Sequence, residues 1–301
     1  MSLPCLSNLA EWKKNITEKL AGRPVLASVS GGKDSTAMVL LLIEAQIPFR
    51  MVHLDTQWEH PETEKYLFSY LQPRLGSIHV IRPPKGMRDL ILSKGMFPNR
   101  VARYCTGELK LRPFQKYLKT LDEEIVSAVG IRAQESFRRS KYPEWEWSSQ
   151  FQCDVWRPIL TWSEDDVIAM HHRHNIRPNP LYLLGMSRVG CWPCIFSSKA
   201  SLRVMAREDP EAIDKVRELE QEVNIIRKER NPEAREVSWF SRDTLYSPID
   251  KVIQWAFSDR TGKEYFTSNE RESGCIRWGL CEMQHPFDSQ DAIIENEQQK
   301  E

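Results

Sequence analysis

The sequence predicts an α/β fold: an open, mostly parallel twisted sheet with helices on both faces, followed by a smaller, mostly helical C-terminal region. Three observations predict it. Short apolar runs alternate with helix-periodic segments up to residue 130, a glycine pair stands at a strand-to-helix junction, and the texture turns polar and aromatic after Arg132. Taken in order, Asn8 to Ala21 is amphipathic and closed by Gly22, and Pro24 to Ser30 reads as a buried strand. Asp34 to Gln46 is strongly apolar at helical spacing, and Phe49 to Leu54 is a second strand ending at Asp55. Alternation continues through Glu62 to Leu71, Ile78 to Arg82, Met87 to Ser93, Glu108 to Thr120 and Ile125 to Gly130, which calls for parallel strands with right-handed crossovers. Arg138 to Gln150 lacks a period and reads as a loop. Helices are expected near Ser163 to His174, Pro210 to Arg230 and Pro248 to Phe257, and the acidic, Gln-rich Asp288 to Glu301 as a frayed tail. The halves divide as residues 1–150 and 151–301.

The chain has 301 residues, enough to bury a substantial core, and no apolar run approaches the roughly 18 to 20 residues of a membrane span. Residues 1–22 mix acidic and basic side chains, unlike a secretory leader, so a cytoplasmic protein without membrane contact is expected. Lys plus Arg and Asp plus Glu both number 42, so a nucleic-acid partner would have to be held by local patches. Seven cysteines, an odd number, favour metal or thiol chemistry over a disulfide framework.

Ser30-Gly31-Gly32-Lys33-Asp34-Ser35 lies between the first strand and the second helix. Two glycines let backbone N–H groups close around an anion, the helix start adds its dipole, and Lys33 and Ser35 add a cation and a hydroxyl. The Walker pattern GxxxxGK[ST] is not met, because Ala27 replaces its first glycine and Asp34 follows the lysine. The segment instead resembles the signature of the PP-loop ATP pyrophosphatase superfamily, which implies a HUP-like sheet in residues 1–150 and cleavage of ATP between its α- and β-phosphates, with Mg²⁺ on the phosphates. By that resemblance Ser30 to Ser35, with Ser28 ahead of them, bind the nucleotide, and Lys33 and Asp34 are catalytic.

Asp55 and Thr56 end a strand at the carboxyl edge of the sheet, where ligands of open α/β sheets sit; a contact with adenosine or metal is expected, a helix cap being the alternative. Gly130-Ile131-Arg132, continuing through Glu135 and Ser136 to Arg138 and Arg139, follows another strand, and three arginines in eight residues suit a phosphate-rich ligand, or else form a solvated loop. Gly130, Arg132 and Arg138 join the nucleotide set, Arg132 also as a catalytic residue.

Tyr104-Cys105-Thr106 with Lys110 and Pro113, the GIRxxES segment, and Trp156-Arg157-Pro158-Ile159 resemble the phosphoadenosine phosphosulfate (PAPS) reductase-like branch over roughly residues 20–200. Asn179-Pro180-Leu181-Tyr182 with Gly185, and Gly190-Cys191-Trp192-Pro193-Cys194, are more similar to Dnd- and Ssp-type DNA phosphorothioation enzymes and phage-borne relatives. Two departures separate the chain from true sulfonucleotide reductases: Thr106 stands where a tandem cysteine would be, and Ser273 to Glu282 does not read ECGLH.

Cys191 and Cys194 have metal-knuckle spacing, and Cys275 with Cys281 could complete four thiolates for a [4Fe–4S] cluster or Zn²⁺; the resemblance favours iron–sulfur. Cys105, flanked by Arg100, Arg103, Lys110 and Arg112, either replaces Cys275 there or is a catalytic thiol that carries sulfur. Cys5 and Cys153 read as structural, and His171, His172 and His174 as helix-surface residues. Trp145, Trp147, Trp156 and Trp162, interleaved with Arg138, Arg139, Lys141 and Arg157, can stack on bases or pack a core. The resulting expectation is an ATP pyrophosphatase that adenylylates a DNA backbone phosphate so that sulfur from a cysteine desulfurase replaces oxygen, working with other phosphorothioation proteins. A sulfonucleotide reductase, a tRNA-thiolating enzyme and a non-catalytic nucleotide-sensing subunit are the alternatives.

Overall fold

The structure, a computed structural model, describes residues 9–99, 101–240, 246–258 and Trp278. Helix α1 (Leu9–Leu20) leads into β1 (Val25–Ser28), α2 (Lys33–Glu44) and β2 (Phe49–Leu54). Helix α3 (Pro61–Lys65) widens into π-helical turns at Tyr66–Leu71 and closes as α4 (Gln72–Leu75) before β3 (Ile78–Ile81). Next come α5 (Met87–Lys94), α6 (Tyr104–Thr106), a second π-helical stretch at Gly107–Leu111, α7 (Arg112–Leu118) and β4 (Val126–Val129). Strands β5 (Trp145–Ser148) and β6 (Cys153–Trp156) follow, then helices α8 (Glu164–Arg173), α9 (Pro180–Leu183), α10 (Lys199–Glu208), α11 (Pro210–Arg230) and α12 (Ile249–Phe257).

The six strands run in the order β3-β2-β1-β4-β6-β5, all parallel except the β5–β6 pair. β1 is central because Val25, Leu26 and Ala27 are apolar and wholly buried, which suits a strand covered on both faces. α2 is buried without a break from Ala37 to Leu42, since it lies under the sheet and against α8. The chain leaves β1 toward β2 on one side and returns through β4 on the other, so a crevice opens beyond the carboxyl ends of β1 and β4. A second apolar cluster joins α5, α10, α11 and α12 around Trp239 and Trp278.

The segment expected as a loop over residues 138–150 holds a strand. Trp145 pairs with Trp156 across the β5–β6 ladder and stacks on it at 5.1 Å, while Trp147 points out, 59% exposed. Trp156 and Trp162 are core residues, so of the four tryptophans only Trp147 offers a broad open face. The sheet continues across residue 150, with β5 before it and β6 after. The α10 helix was not among the expected elements. No helix among the described residues is long and apolar enough to cross a membrane.

Gly130 is where the sheet and α2 approach most closely: a Cβ there would stand 2.6 Å from Ser35 Cα and 2.7 Å from the Asp34 carbonyl oxygen, both backbone atoms. Gly130→Ala therefore costs about 2–3 kcal/mol by overpacking. Gly107→Ala, where a Cβ meets nothing within 4 Å, is neutral or mildly stabilising. Urea unfolding of the two variants checks this; equal midpoints would contradict the close approach.

Candidate functional site

The glycine-rich turn sits at the mouth of the β1/β4 crevice. Gly31 adopts φ +71°, a left-handed conformation that favours glycine, and a Cβ on it would meet Thr63 Cγ2 at 2.9 Å. Ser35 closes the turn: its hydroxyl accepts the Ser30 N–H at 3.2 Å and donates to the Gly32 carbonyl at 2.9 Å. Gly32 is the N-cap of α2 and has no side chain to cap it, so the positive end of the helix dipole lies at the turn.

Lys33 is buried, with its ammonium 3.4 Å from Glu164, 3.7 Å from Asp34 and donating to the Ser187 carbonyl at 3.3 Å. Asp34 accepts a short hydrogen bond from Nε of the buried Arg132, which ties the exit of β4 to the first turn of α2. The Arg132 backbone N–H in turn donates to Glu135 at 2.9 Å. Ser28 ends β1 ahead of the turn, Arg138 is exposed, and Arg139 pairs with Glu135.

Asp55 is engaged on both oxygens, accepting the Gln57 N–H at 2.7 Å and the Arg82 guanidinium at 2.7 Å. Its carboxylate thus organises the exit of β2. Thr56 Oγ1 donates to Glu59 at 2.7 Å and lies 3.9 Å from Cys191 Sγ, so a knuckle thiol reaches the carboxyl edge of the sheet.

Residues far along the chain hold the turn from outside. Asn179 Nδ2 donates to the Gly31 carbonyl at 3.2 Å, and the Tyr182 hydroxyl accepts the Lys33 N–H at 3.0 Å. His171 is not on the surface: it is 1% exposed, with Nε2 3.0 Å from the Lys33 carbonyl and Nδ1 3.2 Å from that of Ile176. Both partners only accept, so a neutral ring can donate to one of them, while burial pushes the His171 pKa down against the charged form that would satisfy both. Trp278 packs edge-on to His171 at 5.2 Å and lies 6.0 Å from Tyr182. The NPLY resemblance pointed to Asn179 and Tyr182; nothing local to His171 announced its contact with Lys33.

The cysteines divide. Cys153 is in β6, buried, its thiol pushed up to about 11 by burial. Cys105 is also pushed up, burial outweighing the Arg103 charge, so the flanking cations do not make it the expected low-pKa thiol. The cation of that segment that faces a thiol is Lys110: Cys191 is the main cause raising the Lys110 pKa, and Lys110 counters the burial that raises Cys191. Among the described residues no group of three or more His, Cys, Asp or Glu side chains is placed to hold a metal ion. A four-thiolate site needs Cys281 and either Cys275 or Cys105, and Cys275 and Cys281, like Cys5 and Arg100, lie outside the described residues.

The phosphoadenosine phosphosulfate reductase domain family matches residues 24–197. A 37.8 kDa protein of the gpa 5′ region of Escherichia phage 186 is 30% identical, over 85% of this chain and 96% of its own length. An adenosine 5′-phosphosulfate reductase of Allochromatium vinosum is 26% identical over 56% of this chain and 67% of its own length. The chain spans less than half the length of two Methanocaldococcus jannaschii relatives it matches, 42% and 45%. Among solved structures, a PAPS reductase from Candida auris in complex with phosphate superposes with TM-score 0.48 at 16% identity, over 64% of this chain and 97% of that one.

Burial lowers the pKa of His171, and of His60, below the ordinary 6.5. Below about pH 6.5 the unfolded chain takes up protons that the folded chain refuses, so stability is complete above that pH and falls by up to about 1.4 kcal/mol per pH unit for each histidine as the pH drops toward its folded value. Urea midpoints near pH 7.5 and 5.5 check this: the wild type loses stability at the lower pH and His171→Gln loses less. A pH-independent midpoint would contradict it.

Proposed function

The chain belongs to the phosphoadenosine phosphosulfate reductase domain family, and from that membership and the site geometry we propose an ATP pyrophosphatase that activates an oxygen by adenylylation so that sulfur can replace it. One juxtaposition carries the reading: a glycine turn flanked by two buried cations, Lys33 and Arg132, shares the carboxyl edge of the sheet with the Cys191 thiol, 3.9 Å from Thr56 Oγ1. A turn glycine, Gly31, that a Cβ would crowd, the positive end of a helix dipole and two cations suit a triphosphate.

In this reading the turn binds the β- and γ-phosphates of ATP, and an acceptor oxygen attacks the α-phosphorus, with pyrophosphate leaving toward Lys33 and Arg132. Magnesium, when bound with ATP, supplies further charge neutralisation. Asp34 holds the Arg132 guanidinium in place, and Asn179 and Tyr182 hold the turn, so the donors are oriented before the substrate arrives. The acceptor is a backbone phosphate of DNA; persulfide sulfur from a partner cysteine desulfurase, within a set of phosphorothioation proteins, displaces AMP at that phosphorus, and a second thiol, such as free cysteine, cleaves the S–S bond to leave the phosphorothioate. A [4Fe–4S] cluster or Zn²⁺ on Cys191, Cys194, Cys275 and Cys281 belongs to the same reading.

The similarity to an adenosine 5′-phosphosulfate reductase supports a second reading, reduction of an activated sulfate. Thr106, where that chemistry would place a second cysteine, weighs against it.

Incubation with ATP, DNA, cysteine and a cysteine desulfurase, followed by nuclease digestion and mass spectrometry, separates the two. Phosphorothioate-linked dinucleotides are expected, falling about 100-fold or more in Lys33→Met, which keeps the buried stem while removing the charge. Sulfite from adenosine 5′-phosphosulfate and thiol, with no phosphorothioate, would overturn the first reading in favour of the second.

A further inference from the structure

Three of the exposed aromatic side chains line one side of the C-terminal helices, each under a cation. Arg103 lies over Phe196 at 4.8 Å, Lys199 over Trp255 at 5.3 Å, and Arg207 over Phe257 at 5.3 Å. The aromatics are 39%, 43% and 46% exposed, so their rings are open to a ligand as well as to their cations. Lys199, Arg203 and Arg207 fall at i, i+4 and i+8 of α10, one face of the helix with ~6 Å of rise between them. The opposite face, through Leu202, Val204 and Met205, is buried. α10 packs on α12, and Arg203 donates to the Ala256 carbonyl at 3.0 Å, which fixes the cation ladder beside Trp255 and Phe257.

The stripe begins at the thiols. Phe196 N–H lies 3.5 Å from Cys194 Sγ, Arg103 is two residues from Cys105, and Cys191 in the same knuckle reaches Thr56. A lipid surface would demand a broader apolar face, and an acidic protein would have no use for open aromatic rings spaced among the cations. Alternating cations and open rings in a line match a chain that alternates phosphates and flat bases.

We propose that the stripe Arg103–Phe196–Lys199–Trp255–Arg207–Phe257 is a binding track for single-stranded nucleic acid, leading a strand toward the cysteine side of the site. It deepens the proposed function by naming an unpaired strand as the acceptor and rests on that reading only for what happens at the end of the track. Single strands are preferred because bases in a duplex are already stacked on each other. A track recognised by charge alone would instead favour the duplex, whose charge density is higher.

The test is fluorescence anisotropy of a labelled 12-nucleotide single strand with the full-length protein and no ATP, repeated with the matching duplex and with anionic phosphatidylserine vesicles as competitor. The single strand binds more tightly than the duplex. Trp255→Ala and Phe257→Ala each weaken it about 5-fold or more, and Arg207→Gln, an exposed change that leaves the fold intact, lowers the salt slope by about 0.7. Thermal melting confirms that each variant is folded, and ATP binding without nucleic acid stays at the wild-type affinity in all three. Tighter duplex binding with no effect of the aromatic variants would overturn the proposal, as would vesicles displacing the strand with the same dependence on Trp255. Wild-type protein that binds the strand through these residues yet releases no pyrophosphate would sink the proposed function and leave the track standing.

Discussion

The buried pair between Arg132 and Asp34 is the contact on which the rest of the site depends. It joins the end of β4 to the first turn of α2, the two elements whose separation defines the crevice. Removing Asp34 would leave the Arg132 guanidinium without its carboxylate in a place from which water is largely excluded, which is far more costly than losing a surface pair. Gly130 makes the pair possible by letting the β4 exit pass against Ser35 without a side chain between them. The guanidinium is thereby immobilised beside the glycine turn, and under the proposed function a phosphate there would meet a donor that needs no reorganisation.

A second constraint comes from the far half of the chain. The peptide groups of Lys33 are gripped at both ends, the N–H by Tyr182 and the carbonyl by His171, while Asn179 holds Gly31. The turn that looks autonomous in sequence is shaped by α8 and α9, and Trp278 packs against the same two side chains. A change in the C-terminal half can therefore alter nucleotide binding with no contact to the ligand.

The β1–turn–α2–β2 unit was legible because every level of the sequence agrees there. An apolar strand, two glycines and an apolar helix are local signals, and β2 runs over the expected Phe49 to Leu54. β5 was not legible, since four residues of alternating tryptophan and polar side chains on a sheet edge resemble an aromatic loop until Trp145 is seen stacked on Trp156. α10 is short, and its apolar Leu202, Val204 and Met205 are covered by α11 and α12, which follow it in sequence. His171 stands among His172, Arg173 and His174, a texture of solvent, and only a contact with Lys33 138 residues away makes it interior. Lys110 and Cys191 are likewise brought together by the fold, so local sequence pointed to Cys105 for the cation while the structure turns it to Cys191.

The most direct measurement is to resolve the products of ATP turnover by the purified protein, with acceptor, cysteine and a cysteine desulfurase present, on an ion-exchange column. AMP and pyrophosphate in equal amounts are expected, because the proposed attack on the α-phosphorus releases one pyrophosphate and the sulfur step that follows releases one AMP. ADP with inorganic phosphate would contradict it.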